Sequence, residues 1–185
     1  MKLVAILALC SIGVTTRALA TQTTSGPGDR KPLYDALPAG APDGLHMGSL
    51  NPDGTTHWEY IGEAEYLPFN SSELPSGVPT ILTKRSDYGT HCDGGWVSDF
   101  DWQNAQAGLQ QRCGGGLDYN GVISYQYGSA VAYACNYGNG QRCDWSNVGS
   151  ALNSLRNACY EQRGWFSIPS AKLSYGVTTA GHGYC

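Results

Sequence analysis

Six cysteines, Cys92, Cys113, Cys135, Cys143, Cys159 and Cys185, all fall in the C-terminal half of the chain. In an oxidising compartment an even set of this kind reads as three disulfides, with the pairing left open by sequence. A domain of roughly 100 residues buries only a modest core. Bridges that restrict the unfolded chain, at about 2–4 kcal/mol each, therefore supply part of its stability. No Cys-x-x-Cys occurs, and His91 and His182 lack metal-site spacing, so neither a metal nor another cofactor is expected.

The remaining cysteine, Cys10, sits in a segment of another kind. Lys2 supplies a positive start, Leu3 to Val14 is apolar, and Ala18-Leu19-Ala20 gives a small-x-small pattern. Residues 1–20 read as a secretory signal peptide cut after Ala20. The apolar run is too short for a comfortable bilayer span, so a secreted, extracellular protein without stable membrane insertion is expected.

Residues 21–85 contain no cysteine but hold most of the prolines, eight acidic groups and four basic ones. Pro32, Pro38, Pro42, Pro52 and Pro68 interrupt any helix or central strand, and the segment reads as a loosely structured pro-segment. Only Thr55 to Leu67, with Trp58, Tyr60 and Tyr66, has enough aromatics to pair weakly with another element. Asn70-Ser71-Ser72 is an N-glycosylation sequon. Lys84-Arg85 closes the segment seven residues before Cys92. A dibasic pair in an accessible linker suits the acidic subsites of kexin-type processing proteases, and cleavage there is expected to free residues 86–185.

The domain after Arg85 carries five basic and seven acidic residues. A slightly negative surface gives no electrostatic case for nucleic acid or anionic membrane, and a monomer is expected. Asp99 to Arg112 spaces Trp102, Ala105, Leu109 and Cys113 as one helical stripe, with Gln103, Gln106, Gln110 and Gln111 largely outward. Asp144 to Tyr160 repeats the pattern with Val148, Leu152, Leu155 and Cys159. Ser98 or Asp99 can cap the first helix and Asp144 the second. Between them Val122 to Tyr127 and Ala130 to Tyr137 alternate as strands about Gly128-Ser129, a Gly-first pair suited to a type II′ turn. Trp165 to Ile168 and Lys172 to Val177 read as a further strand pair, and Tyr88 to Val97 as a short strand. The sum is an α+β domain: two helices packed on one face of a small antiparallel sheet, stapled by disulfides. Cys113 and Cys159, on the apolar stripes, are expected to tie helices to the sheet.

The run Ala132-Tyr133-Ala134-Cys135-Asn136-Tyr137-Gly138-Asn139-Gly140, the Cys143-led helix, Cys159, Gly164-Trp165 and Ser174-Tyr175-Gly176 resemble small secreted cysteine-rich proteins of filamentous fungi, many of them candidate effectors. The layout with a dibasic site and the helix–hairpin–helix–strand order are also similar to the killer toxins of smut fungi, which are disulfide-stapled α/β sandwiches. The resemblance covers roughly residues 88–185 and rests on cysteine placement, glycine-aromatic punctuation and element order. It implies a secreted, effector- or toxin-like protein that binds a target on or in another organism, a host plant or a competing microbe. It carries over no catalytic residue.

Catalysis finds little footing in the residues themselves. A small secreted ribonuclease would need two titratable groups flanking one phosphate. His91, His182 and Glu161, with Arg112, Arg142 or Arg163 on the phosphate, are the residues of the right type, but nothing in sequence brings them together. Gly-x-Ser-x-Gly is absent, and Asp99 and Asp101 suit a helix start better than a glycosidase pair. The aromatics offer more. Tyr119, Tyr125, Tyr127, Tyr133 and Tyr137 crowd the hairpin, where they either fill a thin core or form a row that stacks on sugar rings or binds protein. A cell-wall glycan-binding module therefore stands beside the protein-binding effector, and a non-catalytic role is expected.

Overall fold

A computed structural model describes residues 32–63, 89–138 and 140–185. Ala20, Asn70 and Lys84-Arg85, the expected processing and glycosylation points, lie outside the described residues. The elements run β1 (Gly44–Leu50), β2 (Thr56–Glu63), β3 (Gly89–Trp96), α1 (Asp99–Cys113), β4 (Leu117–Tyr119), β5 (Val122–Tyr127), β6 (Ala130–Asn136), β7 (Gln141–Cys143), α2 (Trp145–Cys159), β8 (Gln162–Ile168), a 3-10 turn (Pro169–Ala171) and β9 (Leu173–Thr179). Seven strands pair in one antiparallel sheet of order β2-β1-β5-β6-β9-β8-β3, while β4 and β7 form a separate two-stranded ribbon.

Both helices form where the apolar stripes place them. The Ser98 hydroxyl accepts from Asp101 N at the start of α1, and Asp144 accepts from Asn147 N at the start of α2. The helices pack on one face of the sheet. Leu109, Val148, Leu152 and Leu155 meet Ile123, Tyr125, Val177 and the small side chains of Ala130, Ala132 and Ala134 there. Those alanines let the helices approach closely, as does Gly108, which lies against the Tyr125 ring. The hairpin β5–β6 turns at Gly128 with φ +54, the backbone a Gly-first turn needs. The three bridges are Cys92–Cys159, Cys113–Cys143 and Cys135–Cys185. The first ties α2 to β3 of the sheet, as expected of Cys159, whereas the second ties α1 to β7 of the separate ribbon, so Cys113 does not reach the sheet.

Two further expectations are corrected. Gln106 and Gln110 are buried between the helices instead of facing outward. Gln106 Nε2 donates to Gln110 Oε1 and to Asn153 Oδ1, and Gln110 Nε2 donates to the Trp145 carbonyl. α1 thus has an apolar stripe toward the sheet and an amide stripe toward α2, where each buried polar group finds a partner. The second correction concerns the segment read as loosely structured. Its residues 44–50 and 56–63 form β1 and β2, and the described residues constitute one compact unit. The prolines do not prevent this because Pro32, Pro38 and Pro42 precede β1 and Pro52 sits in the turn before β2. They bound the strands rather than interrupt them.

The face opposite the helices has its own thin core. Tyr34 and Leu37 from the lead-in to β1 pack with Val122, Val131, Tyr133, Cys135 and Tyr184. Tyr184 stacks on Tyr133 and donates from its hydroxyl to Ser124 Oγ. The Cys135–Cys185 bridge holds this C-terminal tail against the centre of the sheet.

Candidate functional site

Three aromatic side chains stand out of the surface at one end of the molecule. Trp96 is 66% exposed, Phe100 61% and Tyr160 76%. The local structure explains how they come together. β3 ends at Trp96, Val97 is fully buried, and α1 starts after the Ser98 cap, so Trp96 and Phe100 flank one tight corner. The chain leaving α2 meets this corner: Val97 N donates to the Glu161 carbonyl at 2.7 Å, and Trp96 Nε1 donates to Glu161 Oε2 at 3.0 Å. An Arg156–Asp99 ion pair joins the last turn of α2 to the first turn of α1, and the Cys92–Cys159 bridge ties α2 to β3.

Two of the rings are held by neighbours, not merely left outside. The Glu161 carboxylate fixes the Trp96 indole, and Phe100 rests edge-on against Tyr127 with centroids 5.9 Å apart. Tyr160 ends α2 at φ 54 and ψ −124, a backbone that normally calls for glycine. A large side chain held in a disfavoured conformation, with its ring in solvent, gains nothing for the core. The same turn ends α1 at Gly114, with φ 33 and ψ −118, so the conformation belongs to the way both helices stop, and at α2 a tyrosine occupies it.

A second feature is a cleft of about 510 Å³ on the helix side of β1 and β2. Ser49, His57 and Glu59 line one wall, and Asp118, Asn120 and Arg142 line the other on and beside the β4–β7 ribbon. Arg142 is steadied by donating to the Gly115 carbonyl at 2.7 Å. Tyr119 also lines the cleft; its hydroxyl is buried, and that burial pushes its pKa well up, so it stays protonated. The wall groups offer donors and acceptors of both charges, and Met47 and Tyr119 add apolar surface, so the lining is mixed.

Of the candidate catalytic residues, His91, Glu161 and Arg163 fall on or beside the paired strands β3 and β8, while His182, Arg112 and Arg142 sit on or beside other elements, and each has a structural partner of its own. His91 stacks on Trp165 at 4.9 Å, Glu161 is engaged by Trp96, and the His182 backbone closes the C-terminal turn on Thr179. Arg163 pairs with Asp93, and Arg112 donates to the Glu63 carbonyl. The tyrosine row does not form an exposed patch: Tyr119, Tyr125 and Tyr133 are buried, Tyr127 is half-buried, and Tyr137 alone of the five reaches the surface. β5 and β6 are covered on both faces, so their tyrosines fill core. Among the described residues no group of three or more His, Cys, Asp or Glu side chains is placed to hold a metal ion. No described helix is long and apolar enough to cross a membrane. Compared with protein-family models, curated proteins and solved structures, the chain matches none.

Proposed function

We propose that this is a secreted, effector- or toxin-like protein that acts by binding a target on or in another organism, a host plant or a competing microbe, without catalysis. The observation that carries this reading is the set of exposed aromatics Trp96, Phe100 and Tyr160, two of them held by neighbouring side chains. Exposed aromatics of this size are the residue type that anchors recognition surfaces, and fixed rings lose little freedom on binding. The signal-peptide-like start and three disulfides support an extracellular setting. A second reading, a cell-wall glycan-binding module, is favoured by the same rings, because flat aromatic faces stack on sugars.

One variant tests both. Trp96→Ala with Tyr160→Ala leaves the core and bridges untouched. Loss of an aromatic anchor typically costs about 2 kcal/mol or more, roughly 30-fold in affinity. The expected outcome is a fall of at least that order in growth inhibition or cell death on sensitive cells, with an unchanged melting midpoint. Parental protein captured on insoluble chitin or glucan, and released by the same substitutions, would move the assignment to the glycan. A variant as potent as the parent overturns the role given to this end of the molecule.

A further inference from the structure

Residues 32–63 contain no cysteine, so no disulfide fastens them to the rest of the protein, and Lys84-Arg85 stands between them and β3. Yet they are knit into the fold by many independent contacts. β1 pairs with β5 from Gly44↔Gln126 to Gly48↔Val122. Leu45 is buried in the helix-side core, and Tyr34 and Leu37 are buried in the opposite one. Tyr34 and Tyr184 exchange both backbone hydrogen bonds at 3.1 Å. Gly128 N donates to Asp43 Oδ1 at 3.0 Å, Gln126 Nε2 to the Ala41 carbonyl at 3.0 Å, and Arg112 Nη2 to the Glu63 carbonyl at 2.8 Å.

What lies underneath makes the same point from the other side. Without β1, β5 would become an edge strand, although all its residues but Tyr127 are buried. Natural sheets protect their edges with short, charged or irregular strands, and β5 has none of these features. The actual edges, β2 and β3, do: both are largely exposed, and β3 is broken by a register shift between Cys92 and Trp96.

We infer that residues 32–63 are a permanent part of the working protein. Scission at Lys84-Arg85 leaves the N-terminal piece in place as a second, non-covalently held chain, and the cleft is a site shared between the two pieces. Ser49, His57 and Glu59 come from one side of the cut, and Asp118, Asn120 and Arg142 from the other. Release of the N-terminal piece would remove one wall of the cleft and bare both β5 and the tyrosine layer.

The test cuts the full-length protein with a kexin-type protease and compares its mass under denaturing, non-reducing conditions with its mass under native ones. Where the natural pair resists, a recognition sequence for a site-specific protease inserted after Arg85 ensures scission. Two species in denaturant and one native species of their summed mass are expected. Leu45→Asp should hold together before the cut, when the tether keeps the local concentration high, and lose the N-terminal piece after it. Asp43→Ala, which removes the acceptor for Gly128 N together with the charge beside His46, is the milder version and should shed a larger fraction on dilution than the parent. Release of the N-terminal piece from the cut parent, whether the remainder stays soluble or precipitates, overturns the inference. That failure leaves the aromatic-end reading standing, since Trp96, Phe100 and Tyr160 all follow the cut.

Discussion

Gly108 lies on α1 where the helix crosses β5, and a Cβ at that position would fall inside contact distance of the Tyr125 ring. The ring cannot step aside, because Tyr125 is itself buried between sheet and helix. Gly108→Ala gains about 1 kcal/mol of helix propensity but forces the packed layers apart. Overpacking costs about 1–3 kcal/mol, so we expect a net loss of up to about 2 kcal/mol, read as a melting midpoint lowered by about 2–4 °C per kcal/mol in a chain of this size. A midpoint equal to the parent's would mean that the helix slides to make room. The same scale explains why the exposed aromatics are hard to tell from buried ones in sequence. Tyr125, Tyr133 and Tyr160 are the same residue, and alternation along β5 and β6 says which tyrosines share a face. It does not say that both faces are covered, nor that the chain past Cys159 turns its tyrosine outward at positive φ.

Among the elements, β1 carries a titratable group in an unusual position. His46 is buried, its Nε2 donates to the Pro42 carbonyl at 2.9 Å, and its ring lies 5.2 Å from that of Tyr60. Burial holds its pKa below the ordinary 6.5, and the Pro42 carbonyl and Asp43 only partly offset that. The unfolded chain therefore takes up this proton at higher pH than the folded one does. The contribution of a neutral His46 is fully present above about 6.5 and is lost as pH falls through the folded value. Thermal unfolding followed between pH 7.5 and 5 should show a falling midpoint, and the fall should be smaller in His46→Gln. An equal fall in both would assign the acid sensitivity elsewhere. The helices, the β5–β6 hairpin and its turn were legible because stripe, cap and turn residues agree in each. The β1–β2 hairpin was not, because proline content describes a segment's average, and here the prolines stand outside the strands. His57 and Glu59 went unnoticed for the same reason, lying in a stretch read as discarded.

At the scale of the molecule, the Cys135–Cys185 bridge does more than close a loop. It keeps Tyr184 over the sheet, and Tyr184 in turn supports Tyr34 and Trp58 from the N-terminal segment. Cys135→Ala with Cys185→Ala should cost about 2–5 kcal/mol of stability, read from denaturant unfolding. Amide exchange should rise around Tyr34 and along β1, far away in sequence from either cysteine, and much less in α2, which the Cys92–Cys159 bridge still holds. Faster exchange confined to the last few residues would show that the tail and the N-terminal segment are independent.

The sheet joins partners that are distant along the chain: Gly44 faces Gln126, and Gly89 faces Ser167. During synthesis the β1–β2 hairpin emerges first and waits for β5, and β3 waits for β8, so the sheet closes only when nearly the whole chain exists. Such non-local pairing is slow, since loops must close before contacts reward them. The stretch between β2 and β3 keeps the waiting parts within reach of each other. A chain cut after folding keeps a structure whose halves, once unfolded, must find each other by collision; its refolding rate becomes dependent on concentration, while that of the uncut chain does not.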